Sequence, residues 1–181
     1  MVVPATEITF QLLDGAQAAT DAAELQALHA EVYADEDAGR FAGRFRVQRR
    51  QPGFVLAEAR SGGYLVGYAA GMPLRPATSW WRGLTAPLPE EVTAEPAGRT
   101  FALVELLVRA PWRRQGIART LHDLVLAGRP EERATLTVPQ TAAAAQHAFR
   151  SWGWRRVGRA RDPDEPGSPI ADVLVIPLPL Q

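Results

Sequence analysis

The sequence predicts an α/β domain. Three observations carry this: strand-like and helix-like stretches alternate along its 181 residues, one pair of strands is joined by a tight-turn composition, and a nearly unbroken apolar run near the middle suits a strand covered on both faces. The length is that of one domain, 1–181. With 46% hydrophobic and 22% charged residues the chain can bury an ordinary globular core. Its 20 basic and 20 acidic residues cancel, so no net field draws it to nucleic acid or to an anionic membrane. Having no Cys, it has no disulfide, no thiolate nucleophile and no thiolate zinc site. The run from Met1 to Glu7 has neither a basic nor a long apolar portion, and no stretch of about 18 apolar residues occurs, so a cytoplasmic protein is expected.

Ile8 to Leu13 reads as a first strand. Asp21 and Glu24 have capping-box spacing ahead of a helix carrying Leu25, Leu28 and Val32. A second helix is predicted over 36–50, ending on Arg49 and Arg50 before Pro52. Phe54 to Ala59 and Tyr64 to Gly71 read as an antiparallel hairpin around Ser61, Gly62 and Gly63. Five prolines without a clean period then mark a long excursion over 73–98. Phe101 to Val108 is the apolar run, and Ile117, Leu121, Leu124 and Val125 have helical spacing closed by Gly128 and Pro130. Ala134 to Val138 is another strand. Thr141 can cap a helix presenting Ala145, Ala148, Phe149 and Trp152 on one face, and strands over 154–160 and 171–178 finish the chain.

Chemistry concentrates where the apolar run enters the next helix, at Val108-Arg109-Ala110-Pro111-Trp112-Arg113-Arg114-Gln115-Gly116-Ile117-Ala118. A strand-to-helix turn gathers free N–H groups and the positive end of a helix dipole, and Gly116 lets an anion reach the backbone. Arg113 and Arg114 add charge. Glu105 is the one ionisable side chain inside the apolar run, and a buried lone carboxylate either finds a cation or holds its proton toward neutral pH. It reads as a general base or as a structural partner of an Arg. Trp80 and Trp81 read as an acceptor-pocket wall or as pins for the excursion, and Glu90, Glu91 and Glu95 as solvated or amine-attracting. His29, His122 and His147 lack metal-like spacing and read as surface or helix-face residues, so no metal is expected.

The run Arg113-Arg114-Gln115-Gly116-Ile117-Ala118, preceded by Leu106-Leu107-Val108, resembles the pyrophosphate-binding turn of the GNAT superfamily of acyl-CoA N-acyltransferases. The order of elements resembles that family from about residue 8 to residue 178. The resemblance implies a mixed, mostly antiparallel sheet flanked by helices, and transfer of an acetyl group from acetyl-CoA to an amine carried by a small molecule or a protein, without nucleic acid or membrane and with a homodimer open. It implies that Leu106, Leu107 and Val108 border the pantetheine arm, that Arg113 to Ala118 hold the pyrophosphate, and that Glu105 stands where the family has an acidic residue. On the last helix Ala142 replaces the family's Asn and Phe149 its Tyr, so Phe149 is expected beside the cofactor without a hydroxyl to protonate the leaving thiolate. That departure motivates a rival expectation, a non-catalytic acyl-CoA-binding or sensing domain. Arginines at 44, 46, 49 and 50, and at 155, 156, 159 and 161, read as solvated faces or as contacts for the CoA 3′-phosphate.

Overall fold

The computed structural model describes residues 7–34, 36–165 and 167–180. Met1 to Thr6, where a targeting signal would be sought, lie outside the described residues. The strands are β1 (Ile8–Leu13), β2 (Val55–Ser61), β3 (Tyr64–Pro73), β4 (Thr100–Val108), β5 (Arg133–Pro139), β6 (Arg155–Ala160) and β7 (Ala171–Pro177). The helices are α1 (Gly15–Ala18), α2 (Ala22–Val32), α3 (Ala38–Gln48), α4 (Glu90–Thr93), α5 (Ile117–Leu126) and α6 (Ala143–Ser151). Hydrogen bonding links the strands in the order β1-β2-β3-β4-β5-β7-β6. The pairs β1 with β2, β2 with β3, β5 with β7 and β7 with β6 are antiparallel, whereas β4 and β5 run parallel. The fold is therefore the mixed, mostly antiparallel α/β sheet that the sequence predicts. No described helix is long and apolar enough to cross a membrane.

The chain forms two compact units, neither continuous in sequence: Met1–Met72 with Leu103–Ala127, and Pro73–Ala102 with Gly128–Gln181. In the first, α2 and α3 bury Leu25, Leu28, Phe41 and Phe45 against Leu56, Tyr68, Ala70 and Leu107. Each such side chain contributes about 1.5 to 3 kcal/mol of burial. Ile117, Leu121 and Val125 make the buried stripe of α5. Gly67 marks a close approach in that unit, since a Cβ there would lie 2.8 Å from the Leu107 carbonyl oxygen and 3.3 Å from Leu121 Cδ1.

The capping box lies earlier than the spacing predicts. Asp14 accepts from the N–H groups of Ala16 and Gln17 while Gln17 returns a side-chain acceptor to Asp14 N–H, and Asp21 makes no capping bond. Asp37 caps α3 through Gly39 N–H. Thr141 does not cap α6, whose N-cap is Ala142 with no side-chain bond. In the second unit the excursion is tied down: Trp81 donates to Glu95, Leu84 bridges Ala160, and Thr85 N–H and Arg161 N–H bond to the carbonyls of Arg159 and Gly83. The anchoring role expected of the tryptophans holds for Trp81, and Glu95 is buried, not solvated.

Candidate active site

β4 brings the first unit's ionisable groups together near its end. Arg109, the residue after β4, is buried; its N–H donates to the Val66 carbonyl and its Nε to the Leu65 carbonyl at 2.8 Å. Its guanidinium pairs with Glu31 and stacks 4.7 Å from the Tyr64 ring centroid. The entry to the turn is thus clamped to β3. Ala110–Trp112 form a single tight helical turn, Arg113 Nε donates to the Val108 carbonyl at 2.9 Å, and Gln115 Nε2 to the Pro111 carbonyl at 3.2 Å.

Past that brace the turn is open. None of the backbone N–H groups from Arg114 to Ala118 has a backbone acceptor among the described residues. Gly116 sits at φ 81°, a left-handed conformation that costs other residues about 1 to 2 kcal/mol, and a Cβ built on it meets nothing within 4 Å. Arg113, Arg114, Gln115 and Gly116 are exposed, Leu106 and Ala118 half-buried, and Leu107, Val108 and Ile117 buried. Arg114 makes no ion pair among the described residues. The result is a cradle of donors with positive side chains and room for an anion.

Three residues before Val108 stands Glu105, its side chain 12% exposed. Arg44 Nη2 donates to its Oε1 at 3.2 Å, and His29 Nε2 lies 3.7 Å from the same oxygen. Arg44 Nη1 reaches Glu36 Oε1 at 2.6 Å, and His29 Nε2 lies 3.4 Å from Glu36 Oε2. Burial pushes the Glu105 carboxyl up to about 7, against the pull of Arg44. Burial likewise lowers His29, which is therefore neutral near pH 7, and raises the Tyr33 hydroxyl to about 12 and Tyr68 further. The Tyr68 hydroxyl is buried and has no hydrogen-bond partner among the described residues.

Several sequence readings change here. His29 and His122 are 2% and 0% exposed, so they are core residues and not surface ones. Arg44 is not a solvated helix face but a bridge between two carboxylates. His29, Glu36, Arg44 and Tyr68 had no signal of their own in the sequence, and only the unexplained charge of Glu105 announced that partners must exist. Phe149 belongs to the second unit, 8% exposed, with Trp152 and Trp154 edge-on at 5.6 Å and 5.9 Å between ring centroids. Among the described residues no group of His, Asp and Glu is placed to hold a metal ion.

Comparison with known proteins follows the same lines. A model of the acetyltransferase (GNAT) family matches residues 17–154. No curated protein gives a match. Among solved structures, Arabidopsis thaliana NAA60 in complex with acetyl-CoA is similar at a TM-score of 0.70 and 17% identity, over 95% of this chain and 100% of that one. The aminoglycoside 6′-acetyltransferase type Ii is similar at 0.68 and 13% identity, over 93% and 96%. The ribosomal-protein-S18-alanine N-acetyltransferase from Escherichia coli is similar at 0.62 and 16% identity, over 95% and 94%.

Proposed function

Because the chain belongs to the acetyltransferase (GNAT) family, we propose that it moves an acetyl group from acetyl-CoA to an amine by direct attack, with Glu105 as general base. One observation carries this reading: within one compact unit, β4 ends in an open cradle of backbone donors and bears, three residues earlier, a carboxyl that titrates near neutrality. The cradle from Arg113 to Ala118 suits a pyrophosphate, whose charge the free N–H groups and Arg114 meet without a cost in desolvated side chains. In the reaction the amine nitrogen forms a bond to the thioester carbon, the carbon–sulfur bond breaks with its electron pair passing to sulfur, and the amine's surplus proton goes to Glu105. A base titrating near 7 is ionised often enough to accept that proton and basic enough to drive the transfer. With no Cys in the chain, a thioester-linked acyl-enzyme has no nucleophile.

The test of the cofactor site is Gly116→Glu, measured by calorimetry with acetyl-CoA. Bulk and like charge at the cradle should weaken binding more than a hundredfold, about 2.7 kcal/mol. Gly116→Ala separates the two causes, since it brings the backbone strain but no obstruction. Unchanged affinity in a folded Gly116→Glu protein rules the site out.

A second reading is favoured by Phe149, which has no hydroxyl to offer a leaving thiolate: an acyl-CoA-binding domain without turnover. Thiolates leave unprotonated far more readily than alkoxides, so the first reading does not need that hydroxyl. An acetylation screen of amine pools read by mass spectrometry decides between them, and should include protein α-amines and aminoglycosides, the acceptors named for two of the similar structures. Acetyl-CoA binding with no product on any pool would favour the second reading.

A further inference from the structure

The groups facing Glu105 come from four places: His29 from α2, Tyr33 and Glu36 from the link after it, Arg44 from α3 and Tyr68 from β3. Arg44 is the fixed cation among them, since His29 is buried and neutral. Its guanidinium uses one nitrogen on Glu36 and shares the other between Glu105 Oε1 and His29 Nε2, which lies 3.3 Å away, and it lies 5.9 Å from the Phe41 ring centroid. Among the described residues, the hydrogen bond from Arg44 and the approach of His29 both fall on Glu105 Oε1. The other oxygen, Oε2, is the one left for chemistry.

We propose that Arg44 is a positioning residue for Glu105: anchored on Glu36, it holds Oε1 from α3 and so presents Oε2 to the acceptor amine as an ionised carboxylate. The inference rests on the reading of Glu105 as the base. Physically, burial and the neighbouring Glu36 both favour a protonated Glu105, and Arg44 is what opposes them. A Glu105 without Arg44 would hold its proton through neutral pH and be free to rotate, useless as a base on both counts. The guanidinium's planar fork, which can grip two carboxylates at once, suits this task better than an ammonium.

The experiment titrates Glu105 directly, by carbon NMR of the full chain labelled at glutamate Cδ, with its resonance assigned by its loss in Glu105→Gln. The wild-type midpoint should lie near 7. In Arg44→Gln it should rise by at least about one pH unit, and in Arg44→Lys it should fall between the two. An unchanged midpoint in a folded Arg44→Gln protein overturns the proposal. Should that variant fail to fold, the wild type answers alone: the Arg44 guanidinium nitrogen resonances, assigned by their loss in Arg44→Lys, should move with the Glu105 midpoint, and a flat response overturns the proposal. None of these readouts involves transfer, so full activity in Glu105→Gln would sink the base assignment while leaving the Arg44 result to stand or fall separately.

Discussion

Glu105 and Glu95 are both acidic residues withdrawn from solvent beside an arginine, one in each compact unit, and they are held differently. Glu95 is 7% exposed and its Oε1 takes three donors, Trp81 Nε1 at 3.1 Å, Thr100 Oγ1 at 2.8 Å and Arg133 Nη2 at 2.8 Å. Among the described residues Glu105 has one donor, Arg44, at 3.2 Å on Oε1, while the second oxygen of Glu95 is buried without a partner. A carboxylate oxygen that takes three donors ties three segments of the unit together. One gripped by a single cation keeps capacity to take a proton. The count of donors, more than the burial, distinguishes a carboxylate that builds from one that reacts.

The largest effect should come from the builder. Glu95→Ala removes the acceptor of Trp81 and Thr100 and the counter-charge of Arg133, which keeps the Val92 carbonyl and Thr100 Oγ1, and should cost about 3 to 5 kcal/mol of stability by chemical denaturation. A loss below about 1 kcal/mol would erase the contrast drawn above.

Glu105→Gln should do the reverse, harming chemistry more than fold. Turnover on an acceptor found by the amine screen should fall about 100-fold or more, with acetyl-CoA affinity unchanged and the acidic limb of the rate profile near pH 7 removed. Stability carries its own signature. Unfolded, the carboxyl titrates near 4.5 and folded near 7, so between those values the folded state binds more protons and wild-type stability falls as pH rises. The variant should lack that slope and, above pH 7, exceed the wild type by about 2 to 3 kcal/mol. A variant as active as the wild type with the same pH slope would place Glu105 among the builders.

The smallest effect belongs to Phe149→Tyr. The residue is 8% exposed and the substitution adds one oxygen to a ring otherwise unchanged, so a thermal melt should register a change within about 1 kcal/mol. A loss of about 1 to 3 kcal/mol would mean that the oxygen is driven into the edges of Trp152 and Trp154.

The ease of reading the turn and the difficulty of reading its partners have one physical origin. The cradle is local: strand end, two arginines and a glycine within a dozen residues, a pattern that backbone geometry alone makes meaningful. Glu105 was legible for a related reason, because a charge in an apolar run contradicts its surroundings. Arg44 lies 61 residues away along the chain, on a helix whose other arginines face solvent, and nothing local separates it from them. His29 sits among the apolar positions of α2 yet reads as an ordinary polar residue until α3 covers it. Helix caps failed similarly, since Asp14 and Asp21 offer the same chemistry and only the chain's path after β1 selects the former.

The straps on the proline-rich excursion also close part of a sheet edge. β6 ends the strand order, and its last residues are not open: Leu84 bridges Ala160, and Thr85 and Gly83 exchange backbone bonds with Arg159 and Arg161. Gly83 is obligatory there, because a Cβ would fall 2.0 Å from the Arg161 carbonyl oxygen. What remains of that edge carries Arg155 and Arg156, charges that discourage a neighbouring sheet from docking. β1, at the opposite end of the order, pairs with β2 and shows Phe10 and Leu12 at 36% and 46% exposure. Of these two margins the β6 one is fastened and cationic, whereas β1 has a single strand partner, β2, among the described residues.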